Sequence, residues 1–212
     1  VEFICSAITS LSLQHEKIRS ELGSLGVADL LISALSEHHR HYNTCKWIFG
    51  AISNICYQNE TNAVKFVSGG VIEHLVLITQ RFIETESICE CFCSVIDRLA
   101  KNPSLQDQIG NSHINKILLR SLSLHDKTES NTGVPFFGCC AIISLTDNNM
   151  NTKLKLGQLG ICKILINIIL KNLHKRNITE IACKAVYYIG NNVESNRIKL
   201  IAAGGLDAVN SV

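Results

Sequence analysis

The chain has 212 residues, of which 46% are hydrophobic and 18% charged, and its formal net charge is +2. This composition supports a substantial folded core and excludes a disordered or collagen-like chain. The small net charge lacks the strongly basic footprint of a nucleic-acid-binding protein, and the longest apolar run, ILINIIL at 164–170, is far shorter than the roughly 20 residues that cross a bilayer.

Five short apolar segments recur along the chain in one register. Their first residues, here called the register residues, are Ala7, Ala51, Val95, Ala141 and Ala185, at spacings of 44, 44, 46 and 44. The apolar residues around each of them follow helical spacing, which predicts the buried face of an amphipathic helix. The residues four positions earlier are also assigned to the core, with a partly exposed groove edge as the alternative for Trp47: Phe3, Trp47, Cys91, Phe137 and Ile181.

A second landmark lies nineteen residues after each register residue. It is a glycine in four units (Gly26, Gly70, Gly160 and Gly204) and Ile114 in the third unit. Glycine suits a sharp turn between helices because such turns often require a positive φ. Each unit therefore reads as helix, turn, helix, loop, helix. The two extra residues of the longer spacing are placed in the polar stretch 124–135, which predicts a surface loop.

Units of this size cannot cover their own apolar faces, so successive units must stack on one another. The sequence predicts an all-α, right-handed α-solenoid of about four and a half repeats over residues 1–212. Because both ends lack the polar capping repeats of a free-standing solenoid, we expect a fragment of a longer array, with neighbouring repeats at both ends.

The repeats resemble a known family. NRIKLIAAGG (196–205) and TNAVKFVSGG (61–70), each followed by an apolar helix, together with a long helix that contains AISNI (51–55), are similar to the armadillo repeat. HEAT repeats belong to the same α-solenoid superfamily. The resemblance covers essentially the whole chain and implies that the third helix of each unit lines a concave groove.

Three columns of side chains would face that groove, because a spacing of four residues stacks side chains on one face of a helix. We call them the groove columns. They lie five before, one before and three after each register residue: Glu2, Lys46, Glu90, Phe136, Glu180; Ser6, Gly50, Ser94, Cys140, Lys184; and Ser10, Asn54, Arg98, Ser144, Tyr188. The candidate partner-binding residues are Lys46, Gly50, Asn54, Glu90, Ser94, Arg98, Phe136, Ser144, Lys184 and Tyr188.

The resemblance implies a non-catalytic scaffold that binds a protein or peptide segment along the groove. Because the groove columns mix an amide, both charge signs and an aromatic ring, we expect Asn54, Glu90, Arg98 and Phe136 to contribute most of the affinity. Whether Phe136 is exposed or covered by 124–135 stays open. Nuclear-import adaptors carry repeated tryptophans and asparagines in two of these columns, but here only Asn54 matches, and Gly50 and Lys184 stand in place of tryptophans. The alternative is a regulatory or targeting module of a larger protein with its catalytic domain elsewhere.

No motif for chemistry stands out. We identify no catalytic constellation and no nucleotide-binding fingerprint, so the sequence predicts neither an enzyme nor a cofactor. Cys89 and Cys93 lie one helical turn apart, but structural zinc sites usually combine two such pairs, so no metal is expected. The ten cysteines lie in apolar helical segments and are read as reduced core residues of a cytoplasmic protein, with a nuclear location also open.

Overall fold

The computed structural model describes residues 1–13, 15–110, 113–126 and 133–211, and the regular secondary structure of this part of the chain is entirely α-helical. The helices are α1 (Glu2–Ser12), α2 (Glu16–Ser24), α3 (Val27–His38), α4 (Tyr42–Ile55), α5 (Glu60–Ser68), α6 (Val71–Arg81), α7 (Glu86–Ala100), α8 (Pro103–Gly110), α9 (Ile114–Leu124), α10 (Gly133–Thr146), α11 (Met150–Gln158), α12 (Ile161–Lys171), α13 (Arg176–Gly190), α14 (Glu194–Ala202) and α15 (Gly205–Asn210).

The helices repeat as a short, a middle and a long one. The five register residues lie in α1, α4, α7, α10 and α13, as predicted, and each of these long helices packs against the next. Four complete units run from α2 to α13, with α1 before them and α14 and α15 after them. The molecule is therefore a right-handed α-solenoid.

The predicted glycine turns join the short and middle helices. Gly26, Gly70, Gly160 and Gly204 have φ angles of 79°, 86°, 94° and 87°, a conformation that strains residues with a side chain. In the third unit, α9 instead begins after His113, whose φ is −71°. The third unit thus departs from the others at this turn, as its sequence indicates.

The core follows the row of long helices. The register residues Ala51, Val95, Ala141 and Ala185 are completely buried, together with large side chains such as Phe92. Small register residues let adjacent long helices approach closely while the larger side chains fill the space between units. Each unit thereby supplies the cover that its neighbour lacks.

Polar residues, some of them buried, join neighbouring units at positions that the sequence analysis did not single out. The Asn62 side-chain amide donates to the backbone carbonyls of Arg19 (2.8 Å) and Ile55 (3.2 Å). Lys65 Nζ donates to the carbonyl of Gly23 at 2.7 Å. A Cβ atom at Gly23 would overlap the side chain of Asn62, so the close approach requires glycine. We call this set the inter-repeat lock.

The same lock recurs near the other end of the array. Asn196 donates to the carbonyls of Lys153 and Ile189 at 2.9 and 3.1 Å, and Lys199 Nζ donates to the carbonyl of Gly157 at 2.9 Å. Between the two locks, Gln106 and Thr152 occupy the position of the asparagine. Gln106 donates forward, to the Ser144 carbonyl at 2.9 Å. The sequence signal that could have revealed these contacts is a polar residue that recurs at the same position in successive repeats, within an otherwise apolar helix.

The predicted loop at 124–135 is shorter than expected. Helix α9 continues to Leu124, and α10 begins at Gly133, so Pro135 lies in the first turn of a helix rather than in a loop. Proline is tolerated there because the first backbone N–H groups of a helix have no intrahelical acceptor. The remainder of the proposed loop lies mostly outside the described residues.

The assignment of one column to the core was wrong for Phe3, and for Trp47 the alternative of a partly exposed groove edge is the correct one. Phe3 is 93% exposed and Trp47 is 36% exposed. Cys91, Phe137 and Ile181 are half-buried and pack against the core, as predicted. The physical reason is that the buried arc of each long helix is narrower than the apolar pattern suggests, so this column lies at the edge of the groove face. For Phe3, only α2 and α4 pack substantially against its helix.

All ten cysteines are free thiols. Burial raises the pKa of Cys45 and Cys140 to about 11 and that of Cys91 to about 12, and it raises the pKa of the other seven thiols as well. A raised pKa keeps a thiol protonated at neutral pH, and the protonated form is the unreactive one.

We therefore expect the folded protein to react slowly with a disulfide reagent at neutral pH, and all ten thiols to react rapidly once it is denatured. The measurement is a time course of thiol titration with and without denaturant, with no reductant added. Fewer than ten thiols in denaturant, or equal rates in both conditions, would contradict this picture.

Among the described residues, no single helix is both long and apolar enough to cross a membrane, although α5 and α6 pass that test as a pair bent by 76°.

Candidate functional site

The groove columns lie on the long helices, and the structure leaves most of their side chains accessible. Lys184 is exposed, whereas the other candidates except Ser144 are half-buried. We call the surface that the accessible candidates, without Ser144, present on the long helices the groove surface. Its residues differ in the hydrogen bonds, ion pairs and ring contacts that they already make within the protein.

Asn54 and Arg98 lie together at a central cavity. The cavity has a volume of about 400 Å³ and is also lined by Ser12, Leu13 and Tyr57. It lies near the C-terminal ends of three successive long helices, α1, α4 and α7. The side-chain amide of Asn54 makes no hydrogen bond to any residue in the described part of the chain. An amide and a guanidinium thus share one recess.

Arg98 is fixed in place by two neighbours. Its Nη1 atom lies 3.0 Å from Oδ2 of Asp97, and its guanidinium carbon lies 4.7 Å from the centre of the Tyr57 ring. Arg19 approaches the same ring at 5.3 Å and donates to the Ser12 carbonyl at 2.8 Å. Stacking on an aromatic ring stabilises a guanidinium while leaving its edges able to donate hydrogen bonds.

Ser144 supports this arrangement. Contrary to the prediction, its side chain is not exposed on the groove surface. It is 8% exposed, and its hydroxyl donates to Oδ1 of Asp97 at 2.7 Å. Asp97 is itself buried and also lies 3.6 Å from Nζ of Lys101. Ser144 points into this network because α10 packs closely against α7. Its role is to orient the carboxylate that holds Arg98.

The acidic residues of the groove columns already have partners in the protein. Glu2 accepts a hydrogen bond from Thr44 at 2.9 Å, and Glu180 pairs with Arg176 at 2.7 Å. Glu90 packs against the first residue of α10, Gly133, where a Cβ atom would overlap its carboxylate. The N-terminal end of a helix favours a negative charge. Glu2 and Glu90 are thus engaged by their own protein, whereas the Glu180–Arg176 pair is exposed to solvent.

The remaining candidates present small, cationic and aromatic groups. Lys46 Nζ lies 5.6 Å from the centre of the Trp47 ring. Ser94 shares a hydrogen bond of 2.7 Å with Ser53. Gly50 has open space where a side chain would project.

Aromatic rings pair at two further places. Phe136 and Phe137 are in edge-to-face contact at 5.4 Å, and Tyr187 and Tyr188 make a similar contact at 5.6 Å. Phe136 is half-buried, so it is neither fully exposed nor fully covered.

Tyr57 is the residue of this site that sequence reasoning missed. It lies six residues after a register residue, outside the three groove columns, at the end of α4. Its two arginine contacts come from α2 and α7, and such contacts between units leave no periodic trace. The only available signal was an aromatic residue in a position that is leucine, lysine, aspartate or asparagine in the other units.

The described residues hold no cluster of three or more histidine, cysteine, aspartate or glutamate side chains suited to a metal ion. A larger cavity of about 600 Å³ lies between α8 and the α10–α11 turn. There Asn149 donates to Asp107 at 2.9 Å, and Asn148 donates to Asp147 at 3.2 Å. These carboxylates are engaged in structural hydrogen bonds of the turn.

The comparisons with known proteins identify the fold. No protein-family model and no curated protein matches the sequence. A designed armadillo repeat protein, solved in complex with the peptide (KR)4, superposes with a TM-score of 0.81 at 18% identity, over 97% of this chain and 82% of its own. An engineered protein matches with a TM-score of 0.84 at 15% identity, over 99% of this chain and 82% of its own.

A further match comes from a structure on the interaction between cadherin and β-catenin. It has a TM-score of 0.80 at 16% identity and covers 99% of this chain but 40% of the other chain. The long helices, the glycine turns and these matches together define an α-solenoid repeat protein. Its particular fold is that of the armadillo repeat.

Proposed function

We propose that this protein is a non-catalytic scaffold that binds an extended segment of a partner protein along the groove surface. The observation that carries this proposal is the central cavity, where the Asn54 amide has its hydrogen-bonding capacity to spare and Arg98 is held ready beside it. An amide can pair with both the N–H and the C=O of an extended backbone. The designed armadillo protein in complex with (KR)4 supports this use of the fold.

The partner's segment would lie across the long helices and contact several units at once. The core beneath the groove surface is already well packed, so binding requires little rearrangement of the backbone. Partly enclosed contacts usually carry most of the binding energy of an interface, whereas fully exposed rim contacts contribute little. We therefore place the principal contacts at Asn54 and Arg98.

The test begins by selecting binding peptides from a displayed library with the native protein. We expect the Asn54→Ala/Arg98→Ala variant to bind the selected peptides about tenfold to a hundredfold more weakly, as measured by fluorescence anisotropy. The matched control is Asn151→Ala/Arg81→Ala, which removes the same residue types from exposed positions on α11 and α6.

Circular dichroism should show that both double variants keep their helices. The control should bind like the native protein. If the Asn54→Ala/Arg98→Ala variant also binds unchanged, the groove surface is not the binding site and the proposal is wrong.

A further inference from the structure

The charges of the groove surface are less balanced than its sequence suggests. By sequence, the groove columns contain three glutamates against Lys46, Arg98 and Lys184. The structure places the carboxylates of Glu2 and Glu90 against groups of their own protein, and Glu180 forms an exposed pair with Arg176. Within the described part of the chain, Lys184 has neither an ion pair nor a hydrogen bond from its side chain. A partner would thus meet mainly cationic donors.

We propose that the central cavity binds the carboxylate of an aspartate or glutamate side chain in the partner segment, and that Arg98 is the residue that recognises it. This inference rests on the proposed function, because it names the chemistry of one contact within the groove.

The guanidinium of Arg98 is arranged for such a contact. Nη1 is paired with the carboxylate of Asp97, while Nε and Nη2 make no hydrogen bond to any residue that the structure describes. These two groups form one edge of the guanidinium, and that edge can hold both oxygens of a carboxylate. Tyr57 stacks on its face at 4.7 Å, and the side chain is only 20% exposed. Little side-chain freedom therefore remains to be lost on binding.

Cys140, on the neighbouring helix α10, lies among several charged side chains of the groove surface. Burial is the main cause that raises the pKa of this thiol to about 11, and Asp97 raises it further. Lys101, Arg98 and Lys184 act in the opposite direction. Three cations and one carboxylate therefore lie within electrostatic reach of this point between α7 and α13. This balance favours an anionic group over a basic one.

A carboxylate fits better than a phosphate group. Among the described residues that line the central cavity, Arg98 is the only charged one, and Asp97 already offsets part of its charge. Arg19, on the same Tyr57 ring, is buried and donates to the Ser12 carbonyl. One guanidinium edge matches the two oxygens and single negative charge of a carboxylate. A doubly charged phosphate group would retain uncompensated charge in the same recess.

The experiment compares two fluorescent octapeptides, one with alternating glutamate and serine and one with alternating glutamine and serine. We expect the native protein to bind the glutamate peptide about tenfold more tightly by anisotropy at low salt, and the difference to shrink at high salt. Arg98→Met should remove most of this difference. Arg98→Lys should restore only part of it, because lysine lacks the paired donors.

The matched control is Arg81→Met, an exposed arginine on the middle helix α6. It should retain the full preference for glutamate. Asp97 keeps Ser144 and Lys101 as partners in Arg98→Met, and circular dichroism will verify that this variant is folded.

The outcomes separate this inference from the proposed function. Equal binding of the two octapeptides, or an unchanged preference in Arg98→Met, would overturn the carboxylate site while leaving groove binding intact. Failure to bind either octapeptide, in a protein that does bind peptides selected from the library, would also overturn it. A phosphoserine octapeptide that bound far more tightly than the glutamate octapeptide would show that phosphate is the correct ligand and carboxylate the wrong one.

Discussion

Replacing Phe92 with alanine is expected to lower the free energy of unfolding by about 3–5 kcal/mol. Phe92 lies in the middle of α7 and is completely buried. Helix α7 packs against both α4 and α10, and the lost ring leaves a cavity in this core. Close-packed neighbours relax only partly around such a cavity, which adds to the lost hydrophobic free energy.

The matched control is Phe3→Ala, which makes the same chemical change on α1 where the ring is 93% exposed. We expect its effect to stay within about 0.5 kcal/mol. Urea unfolding followed by circular dichroism measures both variants, and the slope of the transition shows whether the repeats still unfold together. Similar losses in the two variants would contradict the described core.

Replacing Asn62 with alanine is expected to lower the free energy of unfolding by about 2–3 kcal/mol. The asparagine is 2% exposed, and its amide donates to the Arg19 and Ile55 carbonyls. Removing it leaves both buried acceptors without that donor and opens a space beside Gly23. Asn151→Ala, an exposed asparagine on the corresponding short helix α11, should change stability by less than about 0.5 kcal/mol.

A double-mutant cycle tests whether Gly23 and Asn62 act as one unit. A Cβ atom at Gly23 overlaps the Asn62 side chain, so Gly23→Ala alone should be strongly destabilising. In the Asn62→Ala background the added methyl group has room, and its effect should be much smaller. Additive losses would mean that the two residues are energetically independent and that the inter-repeat lock is wrongly described.

The sequence was sufficient to predict the repeat and its turns. Register residues such as Ala51 recur at helical positions, and the four landmark glycines adopt the positive φ that the turn requires. These features are local, because helix periodicity and backbone strain depend on residues close together in the chain. Local rules were therefore sufficient to predict most of the fold.

Sequence reasoning was less successful with the width of the buried face. It placed Phe3 and Trp47 in the core because they continue an apolar helical pattern. A period of 3.6 residues gives the direction of each side chain but does not say how far the neighbouring helices wrap around that face. In a solenoid one side of every long helix stays uncovered, and this column lies at its border.

The candidate site was predictable only in part. Asn54 and Arg98 were placed in one column because each lies three residues after a register residue, and the structure finds both at one cavity. The stacking of Tyr57, the burial of Ser144 and the position of Glu90 against Gly133 all depend on contacts between units. Such contacts join residues about forty positions apart, and nothing in a single sequence indicates which donor meets which acceptor.

Because the inter-repeat lock connects only neighbouring units, the array can deform elastically along its length. Asn62 and Lys65 tie their unit only to the one before, and Asn196 and Lys199 do the same near the other end of the array. A slight rotation at one junction is therefore added to those at the others instead of being resisted by distant contacts. Pitch and curvature of the whole superhelix can change through small elastic strains, so a long ligand can adjust the spacing of its contacts without unfolding any unit.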